Sequence, residues 1–580
     1  MAFQLSPGVN VTEIDLTTVV PSVSTTTGAF AGYLPWGPAQ KITTVTNEIS
    51  LVQNFAPQGP DANSYVTFFT ASSFLAYGNN LQFVRSVGVN GLNATSNTAG
   101  IQINNSDVFQ YTYLTPGSGN TYGPFVARYP GALGNSIQVD VFDANNASLF
   151  ANATFTTGGI TRNWNTIVNS TPGTSAYANT QNGANDEFHI VVSDAGGLFT
   201  GIKGTILETY PFVSKASDAA LNGNSSYYKQ VIFNSSKYIQ AMDPVDYANT
   251  SSTWGKLASG VNFARIGNTT TGNTTIVLSR GSDDIGTDAN TTTAFSLFTN
   301  KEYVDISLVL TGGADTTVQQ YVIDNISTSR ADCVTFLSPP QSAVVNQAGS
   351  EVTNIQTWLG QLSRSTSYAV VDSGWKYMYD TYNQTYRWIP LNGDIAGLCV
   401  YTDTVRDAWF SPAGFNRGSI KNAVKLAWNP NKAYRDQLYT QGVNSVVSFP
   451  GQGTVLFGDK TLQSKPSAFD RINVRRLFIV LEKAIAKAAQ FSLFEFNDEF
   501  TRAQFVALVS PFLREIQGRR GITDFRVVCD TTNNTPQIID SNQFVGDIYI
   551  KPARSINFIQ LNFVAVGTGV NFSTIVGSNP

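Results

Sequence analysis

Two apolar stripes near the C-terminal end constrain this chain more than any other feature. Between residues 467 and 518 apolar side chains return every three or four positions, the period of an α-helix with one buried face. The first stripe is Val474, Leu477, Phe478, Leu481, Ile485 and Ala488, with Arg476, Lys483 and Lys487 on another face. The second is Phe505, Leu508, Val509, Phe512, Leu513 and Ile516. Ser467, with Asp470 three residues on, is the expected N-cap of the first helix, and Asn497 that of the second. Gly518 ends the second helix, and Pro511 would kink it. Strands follow at Phe525–Cys529, Phe544–Ile550 and Ile556–Val566. Residues 441–566 therefore read as one unit of two helices and a sheet.

Upstream the texture changes several times. Residues 1–22 read as an extended arm. Val9 and Val11 alternate with Asn10 and Thr12 after the break at Pro7-Gly8, and this lone strand must pair with something distant. Residues 23–95 are α/β: a buried strand at Ala29–Tyr33, a helix over Tyr65–Tyr77 stopped by Gly78, and a strand at Leu81–Val87. Residues 96–300 are crowded with Asn, Thr, Ser and Gly and read as β-rich inserted material, divided as 96–215 and 216–300, the second with some helix. Strands are expected there at Ile137–Val141, Gly204–Tyr210 and Tyr227–Tyr238. Residues 301–440 return to α/β, with strands Asp305–Leu310 and Val334–Leu337 around a helix at Val318–Ile326, the order of a parallel-sheet unit. A further helix is expected to open at Ile420–Leu426. Residues 567–580 form a second arm. The class is mixed α/β, multidomain, with an α/β core and C-terminal domain, inserted β-rich outer domains and extended terminal arms.

Composition narrows the function. Charged residues make up 13% of the chain and the net charge is −4, which argues against binding nucleic acid. A surface built from neutral polar residues is cheap to desolvate and suits subunits packed on many sides, although composition alone fits a secreted β-rich protein slightly better. Cys333, Cys399 and Cys529 are odd in number and widely spaced, and fit small buried side chains better than zinc or disulfide chemistry. Met1–Pro7 shows no leader pattern, and no apolar run is long enough for a membrane span. The single histidine, His189, sits in the strand-like run Phe188–Val192, and no nucleophile elbow accompanies it. Gly453–Thr461 approaches a phosphate loop, but Asp459 stands where the loop needs glycine, so a turn in a strand hairpin is the better reading. No catalytic, cofactor-binding or metal-ligating residues are assigned.

The segment Trp409-Phe410-Ser411-Pro412-Ala413-Gly414-Phe415-Asn416-Arg417-Gly418 is a structured loop, with one φ fixed by Pro412 and freedom at Gly414 and Gly418. Its residues Trp409, Ser411, Pro412, Gly414, Arg417 and Gly418 resemble a signature of contractile tail sheath proteins, particularly the long T-even-type members from myovirus phages. Other segments resemble the same family in order: Pro7-Gly8-Val9, Leu75-Ala76-Tyr77-Gly78, Tyr129-Pro130-Gly131, Arg330-Ala331-Asp332-Cys333, Ser338-Pro339-Pro340, Gly458-Asp459-Lys460-Thr461, Arg475-Arg476, Phe494-Glu495-Phe496-Asn497-Asp498 and Gly521-Ile522-Thr523-Asp524-Phe525. The resemblance implies a structural subunit, not an enzyme. Six copies would form a ring, and rings would stack helically around a tail tube and contract to drive it through the host envelope. It implies strand exchange between subunits by Val9, Asn10, Val11, Thr12, Glu13 and Ile14 and by Val570, Asn571, Phe572, Ser573, Thr574 and Ile575, received by the sheet at 525–566. It makes Arg475, Arg476, Lys483 and Lys487 tube-facing candidates. The implied partners are further copies, the tail tube protein and baseplate and terminator proteins, without nucleic acid or membrane insertion, in a virion tail assembled in the bacterial cytoplasm. A bacteriocin-type or other contractile injection sheath, or a secreted β-rich surface protein, are the alternatives.

Overall fold

In the computed structural model, which describes Val20, residues 23–97, 99–115, 120–243, 253–266, 271–557 and Gln560, strand β1 (Gly28–Gly32) lies in the middle of the largest sheet. All five of its residues are buried. Its glycines make room for helix α1 (Tyr65–Leu75): a Cβ on Gly28 would sit 2.6 Å from the Phe74 ring, and one on Gly32 2.7 Å from Thr67. β2 (Ile42–Val45) pairs antiparallel with β3 (Leu81–Arg85), which runs parallel to β1.

Between β3 and the next strand of this sheet lies the inserted material. Its four-stranded antiparallel sheet, β4 (Ile137–Phe142), β5 (Glu187–Asp194), β6 (Thr205–Ser214) and β7 (Asn273–Val277), has the order β7-β4-β5-β6. Alternation sends Ile137, Val139, Phe188, Ile190 and Val192 to one core, and Phe142 and Val191 to a second with Phe150, Phe155 and Trp164. Because β7 pairs with β4, one sheet spans the two insertions expected separately on either side of residue 215. The strand expected at Tyr227–Tyr238 is instead a helix over Tyr228–Ser235. Tyr228 and Ile232, one turn apart, are both buried, a helical spacing that a strand reading overlooks.

Arg85, at the end of β3, docks the insertion. It is 1% exposed and donates to the carbonyls of Leu34, Pro35, Gly37 and Pro130, the last from the Tyr129-Pro130-Gly131 motif. Trp36 packs edge-on against Tyr129 and Phe199 beside it. Arg85→Ala would leave these carbonyls without their donor. We expect it to cost about 3–5 kcal/mol, as for other broken buried charge networks, with Arg85→Lys rescuing little because one ammonium cannot span four acceptors. A thermal or denaturant midpoint unchanged in Arg85→Ala would refute this.

The chain returns to the large sheet with β8 (Leu308–Leu310), β9 (Val334–Leu337) and β10 (Ala369–Asp372). A hairpin of β11 (Trp375–Asp380) and β12 (Thr385–Pro390) and the helix α2 (Asn392–Val405) follow, then β13 (Val443–Phe449) and β14 (Gly453–Phe457). The order is β2-β3-β1-β8-β9-β10-β13-β14, with six parallel inner strands and an antiparallel strand at each edge. β13 and β14, grouped by sequence with the C-terminal unit, thus complete the central sheet. Helix α2 is buried against α1, with the Cβ position of Gly397 only 2.4 Å from Tyr77. The helix expected to open at Ile420–Leu426 does not form. The backbone there is spent on pairing: the Ile420, Val424 and Ala427 amides donate to Thr454, Tyr377 and Trp375 carbonyls.

The C-terminal unit consists of α3 (Ile472–Ala489), α4 (Glu499–Gly518), β15 (Ile522–Val528) and β16 (Asp547–Pro552). Leu477, Leu481, Ile485, Phe505, Val509, Leu513 and Ile516 form its core, as the two stripes require. The caps differ from expectation. Ser467 caps a short 3-10 turn, and α3 begins beyond it at Ile472. Asp498, not Asn497, caps α4 by accepting from the Thr501 amide. Asn497 is drawn away, donating to the Gln543 carbonyl and accepting from Arg502. Pro511 lies within α4 without ending it.

Candidate assembly interface

The loop 409–418 joins the central sheet to the C-terminal unit. Its glycines face edge strand β14. The Gly414 amide donates to the Leu456 carbonyl at 2.9 Å and the Leu456 amide to the Gly418 carbonyl at 2.8 Å. Gly414 needs its φ of 92°, and a Cβ on Gly418 would meet the Gly414 and Leu456 carbonyl oxygens at 2.8 and 3.0 Å. The loop thereby covers an edge that would otherwise offer a free row of amides and carbonyls. Its other end plugs into the C-terminal core. Trp409 packs with Leu477, Ile516 and Ile522, donates from its indole to the Arg519 carbonyl at 3.1 Å and lies under the Arg519 guanidinium. Arg417 Nε closes the turn on the Ser411 carbonyl.

The four cations expected to face a tube are mostly engaged by partners inside the chain. Arg476 is buried and makes a two-pronged pair with Asp403 at 2.6 and 2.8 Å, at the last turn of α2. This pairing holds its guanidinium charged. Arg475 is buried between Tyr368 and Phe469, 4.3 and 4.0 Å from their ring centres, and donates to the Tyr368 hydroxyl. Lys483 reaches Asp305, the Ile306 carbonyl and the Ser307 hydroxyl ahead of β8. Lys487 alone of the four keeps an exposed head, 3.6 Å from Asp305. These contacts pin α3 to the central sheet. Asp403, Tyr368 and Asp305 were not identified from sequence, because no local pattern marks a partner 70 or more residues away; Phe469, only six residues before Arg475, was also missed.

A cleft of about 1550 Å³ opens between β14, the loop 409–418 and the C-terminal unit, walled by Arg406, Arg417, Arg435, Arg519, Arg520 and Arg554 over Trp409, Phe410 and Phe457. Beside it, β15 and β16 form a sheet of only two strands among the described residues. Residues 9–14 and 570–575, expected to exchange strands, lie outside the described residues.

His189 is a strand residue. Its Nε2 lies 2.9 Å from the Ser170 carbonyl, and its Nδ1 accepts from the Phe212 amide. Burial pushes the imidazole down to about 4 and the Asp140 carboxyl up to about 6, against hydrogen bonds from Thr275 and Gln138. The depressed histidine stabilises the fold above its unfolded pKa of about 6.5 and loses that contribution as the pH falls through 4. The raised carboxyl acts oppositely: its contribution is complete below the unfolded value of about 3.9 and is lost as the pH rises through 6. Melting midpoints between pH 4 and 7 should therefore fall more steeply on acidification in Asp140→Asn than in the unsubstituted chain, and less steeply in His189→Gln. Parallel curves would refute the assignment. All three cysteines are free and buried, with Cys333 and Cys399 pushed up to about 12 by burial. Asp459, in the loop-like run, accepts from Arg471, and Lys460 stacks on Tyr439. Among the described residues no group of carboxylates, cysteines and histidine could hold a metal ion, and no helix is long and apolar enough to cross a membrane.

Family models match two stretches of the chain: the phage tail sheath protein central domain over residues 288–462, and the phage tail sheath C-terminal domain over 464–565. Over 99% of its length the chain is 34% identical to the tail sheath protein of Vibrio phage KVP40, covering 100% of that protein, and 34% identical to that of Enterobacteria phage T4, covering 99%. The tail sheath protein of Salmonella phage ViI is 31% identical, with 99% of this chain and 98% of that protein covered. The crystal structure of a sheath tail protein from Listeria innocua has a similar fold, with a TM-score of 0.52 and 11% identity over 93% of this chain and 97% of that one.

Proposed function

This chain belongs to the tail sheath protein family of contractile phage tails, and from that premise we propose that it assembles as rings of six stacked helically around the tail tube, shortening to drive the tube through the host envelope. The observation that carries the reading is the end-to-end relationship to phage tail sheaths, arms included. The role is structural: work comes from the difference between two packings of the same subunits, and no bond is broken. Physical features support it. The pins and the loop 409–418 weld the central sheet to the C-terminal unit, so that the two can turn as one body. The β15–β16 sheet, two-stranded among the described residues, is the one to which a neighbour's residues 9–14 and 570–575 would add as strands. The inserted sheet would lie outermost, and Lys487 is the tube-facing candidate whose charge remains available. The tube, baseplate and terminator are the further partners, and the tail of the virion, built in the host cytoplasm, is the location.

Electron microscopy of the purified chain tests this. Hollow tubes or six-fold rings are the expected result; a monodisperse monomer at every concentration and salt would count against it.

A further inference from the structure

We propose that the connector between α3 and α4 docks into the arginine-walled cleft of the next copy of this chain, a head-to-tail contact that rests on the sheath reading above. The connector is unusually apolar for a surface turn. Phe491, Phe494 and Phe496 of the connector, and Phe500 in the first turn of α4, each expose three quarters or more of their surface, and Leu493 is exposed between them. Soluble proteins cover such contiguous patches on association. Phe494 is also held at a φ of 69°, a left-handed conformation that a bulky residue enters at a cost and that recurs at binding segments. Glu495, Asp498 and Glu499 interleave with the rings, and no cation occurs between residues 490 and 500. The patch is therefore aromatic and acidic.

The cleft has the opposite character: six arginines and Lys432 outnumber Asp407, Asp436 and Asp459 in its lining, with Trp409, Phe410 and Phe457 among them. Guanidinium planes stack on rings and pair with carboxylates, so the two surfaces are complementary in both respects. Their placement points the same way. The cleft is lined by Asn473 at the start of α3 and by Gln517–Arg520 at the end of α4, whereas the connector lies at the other end of both helices. The 18 residues of α3 set the two surfaces roughly 27 Å apart, so the connector cannot fill its own cleft. Complementary surfaces at opposite ends of one rigid hairpin make a heterologous contact, which repeats from copy to copy into a ring or helix.

A charge exchange in the full chain tests it. One variant carries Glu495→Arg and Glu499→Arg, the other Arg406→Glu and Arg554→Glu; all four side chains are exposed, and unchanged melting confirms folding. Each variant alone should lose assembly by more than roughly tenfold, because like charges then meet, and an equimolar mixture should recover it. Assembly of either variant alone at the unsubstituted level would overturn the contact. So would a loss that mixing does not restore, including one seen only when tube protein is present, which would assign the connector to the tube. If the unsubstituted chain forms no tubes or rings, the sheath reading fails instead. The contact is then judged by sedimentation: association of the two variants together but not of either alone supports it, and its absence refutes it.

Discussion

Asp403→Ala should be among the most damaging single substitutions in this chain, costing about 3–5 kcal/mol of stability. Arg476 is buried, and Asp403 supplies its only charged acceptor among the described residues, through two short bonds. The remaining acceptors, the carbonyls of Thr25, Cys399 and Ala408, lie at 3.3–3.4 Å and cannot neutralise a guanidinium. The loss therefore measures a stranded buried charge, not the net worth of the pair. Replacing both partners with apolar residues, Asp403→Leu with Arg476→Met, should cost far less. Because the pair joins α2 to α3, the single variant should also become cleavable near residue 463, where the two matched domains meet. A melting midpoint and proteolysis pattern like those of the unsubstituted chain would show that the pin contributes nothing.

Deleting residues 1–19 together with 567–580 should abolish ordered assembly and leave a folded monomer. The cut stops short of Val20, whose side chain is buried against Ala484 and Ala488, so the body keeps its core. Each exchanged strand would form several backbone hydrogen bonds worth roughly 0.5–1.5 kcal/mol apiece, enough in sum to hold neighbours through a rotation. Retention of melting with loss of tubes by electron microscopy is the expected pair of results. Tubes from the truncated chain would show that body-to-body contacts suffice and that the arms are dispensable.

Much of this architecture was legible beforehand, and the failures share one physical cause. Ala29–Tyr33 announces itself as a strand because a parallel strand buried on both faces is continuously apolar, and Leu81–Val87 and Val334–Leu337 are short, mostly apolar runs rich in valine, leucine and phenylalanine. The helix pair was legible because its core-facing side repeats at 3.6 residues. What local pattern could not show is where a second layer would fall. The cations of α3 read as lying on a face apart from the apolar stripe, yet Asp403 of α2 and, from the segments just ahead of β10 and β8, Tyr368 and Asp305 come from far along the chain to meet them. Ile420–Leu426 has helical composition, but its amides are taken by β11 and β14. The signature loop was found as a string, and its work, covering edge strand β14 and seating Trp409, became visible only once both neighbours were in place.

Helical reconstruction of the assembled sheath before and after shortening is the most direct test of the central claim that a pinned body turns while its arms hold. The account predicts that one subunit superposes on itself in the two states, with the Arg476–Asp403 pair and the bonds from Gly414 and Gly418 to β14 intact, and that residues 9–14 and 570–575 remain paired with a neighbour's β15–β16 sheet throughout. Separation of α3 from the central sheet, or release of the arms on shortening, would contradict it.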